Sequence, residues 1–241
     1  MAADPHIASY DYQGRQEPCL AMQPAHGADS AQKLCLIPPF FAEANRMRRT
    51  LVSVMRHLAT SHGIASIMPD LPGTLESEAP LTETTLTDWQ QALTAACQQH
   101  GPISHSAAFR AGAVLDSTLP HVTSWRLSPI PAAKQLRMLA RTEIAALREK
   151  GEAVPALTEM LETARKDGVM LAGYALSADM VAAPMDHSDL AHADRTISLS
   201  EDDGDADAVL QGPPLWLRAE PGDDPELAVA IADDIARWMA G

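Results

Sequence analysis

The chain has 241 residues, 46% of them hydrophobic, enough to bury a substantial core without disulfide or metal staples. Eighteen Lys and Arg against 32 Asp and Glu leave a net charge of -14, which repels phosphate backbones and anionic membranes and excludes general nucleic-acid binding as a first reading. Three cysteines (Cys19, Cys35, Cys97) without C-x-x-C spacing fit neither a disulfide framework nor a zinc site, and a start without a basic-then-apolar segment points to a cytoplasmic chain with no signal peptide or membrane span.

Taken in order, His6 to Gln13 and Pro18 to Gln23 read as an antiparallel hairpin at a sheet edge. Leu34 to Ile37 and Ile64 to Met68 are short apolar runs closed by turn residues, and read as buried strands. Between them, Met47, Leu51, Val54, Met55 and Leu58 recur at helical spacing from Arg46 to His62, with Gly63 as the stop. Strand, helix, strand implies a parallel sheet. Thr85 and Asp88 make a capping box for the next helix, which Gly101-Pro102 ends. Ile103 to Phe109 predicts a strand, Ala111 to Ser117 a short helix and Val122 to Leu127 another strand. Two helices open at prolines, Pro131 to Lys150 and Pro155 to Lys166, each followed by a glycine. Their stripes, Leu136, Ala140, Ile144, Leu147 and Leu157, Met160, Leu161, Ala164, predict a helical hairpin over residues 131–168 that covers the strand ends as a lid, or, if exposed, a dimer surface. Val169 to Leu176, Thr196 to Ser200 and Leu215 to Ala219 are further segments, the last read as the final strand. Asp224 caps a closing helix opened by Pro225. The whole chain is expected to be one domain.

An antiparallel start followed by parallel strands ending in P-P-F, P-D-L-P-G and S-H-S-A-A-F-R-A-G follows the order of the α/β-hydrolase fold. Pro39-Phe40 with Ala42-Glu43, Asn45 and Arg48-Arg49, then Pro69-Asp70-Leu71, Gly73 and Ser77, then Phe109-Arg110-Ala111-Gly112, resemble the exosortase A system-associated hydrolases, the second type more closely. Trp125, Pro129, Leu136-Arg137, Gly173-Tyr174, Trp216 and Pro225-Glu226-Leu227 extend the resemblance over most of residues 34–230. It implies an α/β-hydrolase-like protein tied to exopolysaccharide and exosortase systems, with no defined substrate.

Such a hydrolase carries its nucleophile on a strained elbow, usually G-x-S-x-G. Here the elbow falls at 108–112, and Arg110, always protonated, occupies the nucleophile position. The loop Glu220 to Asp224, expected to deliver the catalytic histidine, contains none; Glu201, Asp202 and Asp203 are acids without partners for a triad. No catalytic residue is therefore assigned. Ser106 and His105 could serve an esterase or thioesterase with a non-standard nucleophile, but adjacent strand residues face opposite ways. Asp186, His187, Asp189, His192 and Asp194 crowd together, yet a five-residue histidine spacing suits no single helix face, and a solvated loop is the expectation. Asp203 to Asp207 fails as a calcium loop because Ala208 and Pro214 stand where Gly and Glu are needed. No metal or cofactor is expected. Arg46, Arg48 and Arg49 form a basic cluster, read either as surface pairs with acids such as Glu43 or as part of a crevice. In the second reading Arg110, Phe40, Asn45, Arg48 and Asp70 hold a small anion, helped by the helix N-terminus behind the elbow; in a third, Asp70 or Glu43 neutralises Arg110 and leaves only a structural pair. The expected partner is that anion or another protein.

Overall fold

Gln13 and Gly14 take positive φ (49° and 75°), the pair of left-handed residues that matches strand twist in a two-residue hairpin. In the computed structural model, which describes residues 4–24, 33–186, 190–199 and 206–241, this turn joins β1 (His6–Tyr12) to β2 (Arg15–Met22), with Tyr12 opposite Arg15. The second strand thus starts three residues before the predicted Pro18. The alternation continues through β3 (Lys33–Ile37), α1 (Ala42–Ser61), β4 (Ala65–Pro69), α2 (Leu86–Gln99), β5 (His105–Phe109), α3 (Ala113–Asp116) and β6 (Thr123–Leu127). The Thr85–Asp88 capping box forms as predicted. Helix α1 begins four residues earlier than its apolar stripe indicates, so Glu43 and Asn45 lie in its first turn.

Between β6 and the next sheet strand runs an insertion of α4 (Ala132–Glu149), α5 (Leu157–Asp167), the hairpin β7 (Val169–Leu171) and β8 (Tyr174–Leu176), and α6 (Ala178–Asp186). The stripes of α4 and α5 face inward: Leu136, Ala140, Ile144, Met160, Leu161 and Ala164 are buried and Leu147 and Leu157 pack against them. They leave no exposed stripe for a dimer. The sequence reading has no counterpart to α6, whose Pro184 argues against a helix.

The chain closes with β9 (Arg195–Leu199), β10 (Ala208–Leu210) and α7 (Pro225–Met239), the last capped by Asp224 with Pro225 in its first turn. The predicted strand Leu215 to Ala219 is a correction. Leu215–Leu217 is a 3-10 turn and β10 takes the sheet edge. Pro213 and Pro214 remove two ladder donors just ahead of the run, and its alternation of buried Leu215 and Trp216 with exposed Leu217 does not match a sheet face.

The eight-stranded order is β1-β2-β4-β3-β5-β6-β9-β10, with antiparallel pairing confined to β1, β2 and the β2–β4 junction. Alternate residues of β3 feed opposite cores: Leu34 and Leu36 pack with α1 and α7, Cys35 and Ile37 with α2 and the insertion. All three cysteines are buried and free. No helix among the described residues is long and apolar enough to cross a membrane.

Candidate functional site

Strand β5 stays extended to Phe109 (φ -118°, ψ 126°), and Arg110 then turns sharply with φ 56° into a 3-10 turn that leads into α3. A side-chain-bearing residue in the left-handed region is uncommon, and such strain concentrates at elbows of this kind. The glycine two positions on is required by space. A Cβ at Gly112 would press into the carbonyl oxygen of Pro38 and lie 2.9 Å from that of Ile37, at the end of β3. Ala108 is fully buried. Arg110 therefore occupies the strand-to-helix turn, with small residues around it.

Its side chain is sequestered. Arg110 Nε donates to Glu43 Oε2 at 3.2 Å, Nη1 donates to the Ser128 carbonyl at 2.8 Å, and the guanidinium carbon lies 4.1 Å from the Trp216 ring centre. The exposure of the Arg110 and Glu43 side chains is 8% and 2%. Burial pushes the Glu43 pKa up, and the Arg110 charge pulls against it. Gln135 of α4 lies beside the same carboxyl and favours its charged form, although Glu43 Oε1 and Gln135 Oε1 both lack a hydrogen-bond partner. The elbow cation is thus bounded by α1, the insertion and the loop before α7.

Several sequence expectations change here. Asp70 does not neutralise Arg110; it takes a two-pronged pair from Arg48, with Nη1–Oδ1 at 2.7 Å and Nη2–Oδ2 at 3.3 Å. Burial raises the Asp70 pKa and Arg48 opposes that rise. Arg46 donates to the Trp216 carbonyl at 3.0 Å and Arg49 reaches Asp223 at 3.3 Å, so the basic cluster ties separate parts of the fold together. Glu43 belongs to Arg110 rather than to the surface arginines. The anion crevice loses its physical motive, because the protein itself supplies a carboxylate for Arg110 and another for Arg48. Helix α3 is only four residues long, too short to add a useful dipole behind the elbow.

A cleft of about 60 Å³ does open at the carboxyl ends of the strands, and it is lined by Phe40, Phe41, Asn45, Leu71, Leu81 and Tyr174 among others, without Arg110, Arg48 or Asp70. Phe40, Phe41, Trp89 and Tyr174 form one aromatic group with ring centres 4.7 to 6.1 Å apart. Of the five predicted binding residues, the fold brings only Phe40 and Asn45 to this cleft.

The substitute nucleophiles are misplaced. Ser106 is fully buried as the second residue of β5, with a long contact of 3.5 Å to the Thr123 carbonyl. His105 lies at the opposite end of the strand from the elbow, bonded to Ser104 Oγ at 2.8 Å and edge-on to Trp238 at 5.0 Å. Burial lowers its pKa. The loop from β10 to α7, expected to carry a catalytic histidine at residues 220–224 and holding none there, places Trp216 against Arg110. That role was illegible in sequence, since it depends on where a loop 106 residues downstream comes to rest.

Among the acidic residues weighed for metals, Asp186 pairs with Arg165 at 2.6 Å and Asp194 accepts from the Ser124 amide at 2.7 Å. Asp207 accepts from the Thr196 amide at 2.7 Å. Their oxygens serve the fold. His187 and Asp189, and Glu201, Asp202, Asp203 and Asp205, lie outside the described residues.

No family model matches the chain, and no curated protein is detectably similar to it. Solved structures are similar over nearly the whole length. Est1E from Butyrivibrio proteoclasticus has 13% identity and a TM-score of 0.60, covering 98% of this chain and 99% of its own. A soluble variant of monoglyceride lipase from Saccharomyces cerevisiae has 12% identity and a TM-score of 0.57, covering 98% and 96%. Alpha/beta hydrolase domain-containing protein 10 from mouse has 14% identity and a TM-score of 0.56, covering 97% and 99%. With the sheet order and the elbow already in place, these likenesses establish that the chain has the α/β-hydrolase fold.

Proposed function

We propose that this chain is an α/β-hydrolase-fold protein that does not hydrolyse by the Ser-His-Asp route and acts as a cytoplasmic binding or accessory protein. One observation carries the reading: the elbow position holds Arg110, and its guanidinium is engaged by Glu43, the Ser128 carbonyl and Trp216. A permanently charged, sequestered cation cannot attack a carbonyl carbon.

The remaining cleft, walled by Phe40, Phe41, Leu71, Leu81 and Tyr174 with Asn45 exposed at its rim, suits a small apolar group with one polar end. One wall of the cleft is closed by Tyr174 of the hairpin that follows α5, just beyond the helical insertion over residues 131–168, the expected lid. The link to exosortase and exopolysaccharide machinery rests on the sequence resemblance alone.

The test is a panel of p-nitrophenyl acyl esters together with a serine-reactive fluorophosphonate probe. Neither turnover above the buffer rate nor labelling is expected. Turnover or labelling that disappears in Ser106→Ala would instead establish an esterase or thioesterase with a non-standard nucleophile.

A further inference from the structure

Two histidines five residues apart on a regular helix diverge, because each residue turns the helix by about 100°. In α1 the second of them escapes that rule. His57 is within the last two turns, whereas His62 is the residue that caps the helix, with φ -116° and its amide bonded to the Leu58 carbonyl. Off the helix, its ring swings back beside His57, with ring centres 5.4 Å apart and planes at 72°. Helix α7 packs along α1 and brings Asp233 to the same place. A single oxygen, Asp233 Oδ1, lies 3.0 Å from His57 Nε2 and 2.8 Å from His62 Nε2.

Three features distinguish this group from a chance surface pair. The three donor atoms all lie within 4.8 Å of one another. Ser61 Oγ sits 3.3 Å from His57 Nδ1, an outer contact that leaves Nε2 as the nitrogen turned toward the carboxylate. The neighbouring Asp234 is wholly committed elsewhere, to Trp125 and Arg195, which fixes the rotation of α7 that presents Asp233. Exposures of 26%, 29% and 41% for His57, His62 and Asp233 leave the donors reachable from solvent.

We propose that His57, His62 and Asp233 form a binding site for a divalent transition-metal ion of the zinc class, clasping the end of α1 to α7. Bond lengths of about 2.0 to 2.1 Å to a tetrahedral ion put neighbouring donor atoms about 3.3 Å apart, so the two His–Asp contacts need to widen by only a few tenths of an ångström, and the two histidine nitrogens already lie within 4.8 Å of each other. Two imidazoles and one carboxylate select zinc, nickel or copper over magnesium or calcium, which take oxygen donors. Three protein donors leave a fourth position for water. The site lies on the α1–α7 flank of the sheet, and it stands or falls independently of the reading of the elbow.

The test is titration of the tag-free, chelator-treated chain with Zn²⁺ or Ni²⁺ by calorimetry, with thermal unfolding as a second readout. One ion per chain is expected, with Tm rising by roughly 5 to 10 °C at a metal concentration 100-fold above Kd. His57→Gln and Asp233→Asn are each expected to weaken binding by more than about tenfold and to abolish the Tm shift. Both replace partly exposed side chains, and circular dichroism of the metal-free variants checks that they fold. Absence of stoichiometric binding by the wild-type chain would overturn the proposal. So would binding that both variants retain, which would place the ion elsewhere.

Discussion

Two buried arginine–carboxylate pairs sit one strand apart and are built differently. Arg126, within the regular strand β6, grips Asp116 with both prongs, Nε–Oδ2 and Nη2–Oδ1 each at 2.6 Å. Arg110, at the end of neighbouring β5, makes one longer bond to Glu43, and the remainder of its surroundings is a carbonyl and an indole face. Burial raises the pKa of both carboxyls. A bidentate fork on relaxed backbone is a structural tie, whereas a cation on a left-handed turn is held by unlike partners from three elements on a strained backbone. The contrast teaches that burial and pairing alone do not distinguish the two arginines; the strained backbone and the mixed partners of Arg110 do.

The largest effect expected is from Arg126→Met, which leaves Asp116 buried and unpaired and lowers stability by about 5 kcal/mol in urea unfolding. Arg110→Met should cost less, about 3 kcal/mol, because one longer bond to Glu43, one bond to the Ser128 carbonyl and a cation–π contact are lost in place of a short two-pronged fork. An equal or greater loss at Arg110 would collapse the distinction between the pairs.

The pH dependence sharpens it. Burial holds the folded Glu43 pKa above its unfolded value of 4.5, so the contribution of this group to stability is full below that value and declines as pH rises through the folded one. Removing the Arg110 charge, which opposes the effect of burial, moves the folded value higher still. The Tm deficit of Arg110→Met against wild type should therefore be wider at pH 8 than at pH 5, and a constant deficit would mean that Glu43 does not feel Arg110.

Gly112→Ala probes the elbow without touching either pair. The added Cβ meets backbone oxygens of Pro38 and Ile37, which cannot swing aside, and a loss of about 1 to 3 kcal/mol is expected in thermal or urea unfolding. A neutral substitution would show that the close approach of the turn to β3 is not required. Ser106→Ala should have the smallest effect, within about 1 kcal/mol and with no change in ester turnover, since the hydroxyl makes only a long contact.

Local signals made much of this protein legible from its residues. The Thr85–Asp88 box, the stripes of α1, α4 and α5 and the Asp224-Pro225 start of α7 all depend on neighbours within a few positions, and each formed where that chemistry directs. Arg110 at the elbow was legible through the resemblance to the α/β-hydrolase order of strands, with the small residues Ala108 and Gly112 in keeping with the turn. Tertiary structure alone decided the rest. Whether Glu43 or Asp70 meets Arg110, whether a proline-led apolar run pairs as a strand or curls into a turn that lays Trp216 on that arginine, and whether His57 and His62 converge on Asp233 are choices between partners distant in sequence. Spacing cannot rank such partners, since their free energies depend on burial and approach distance that exist only once the helices have packed on the sheet.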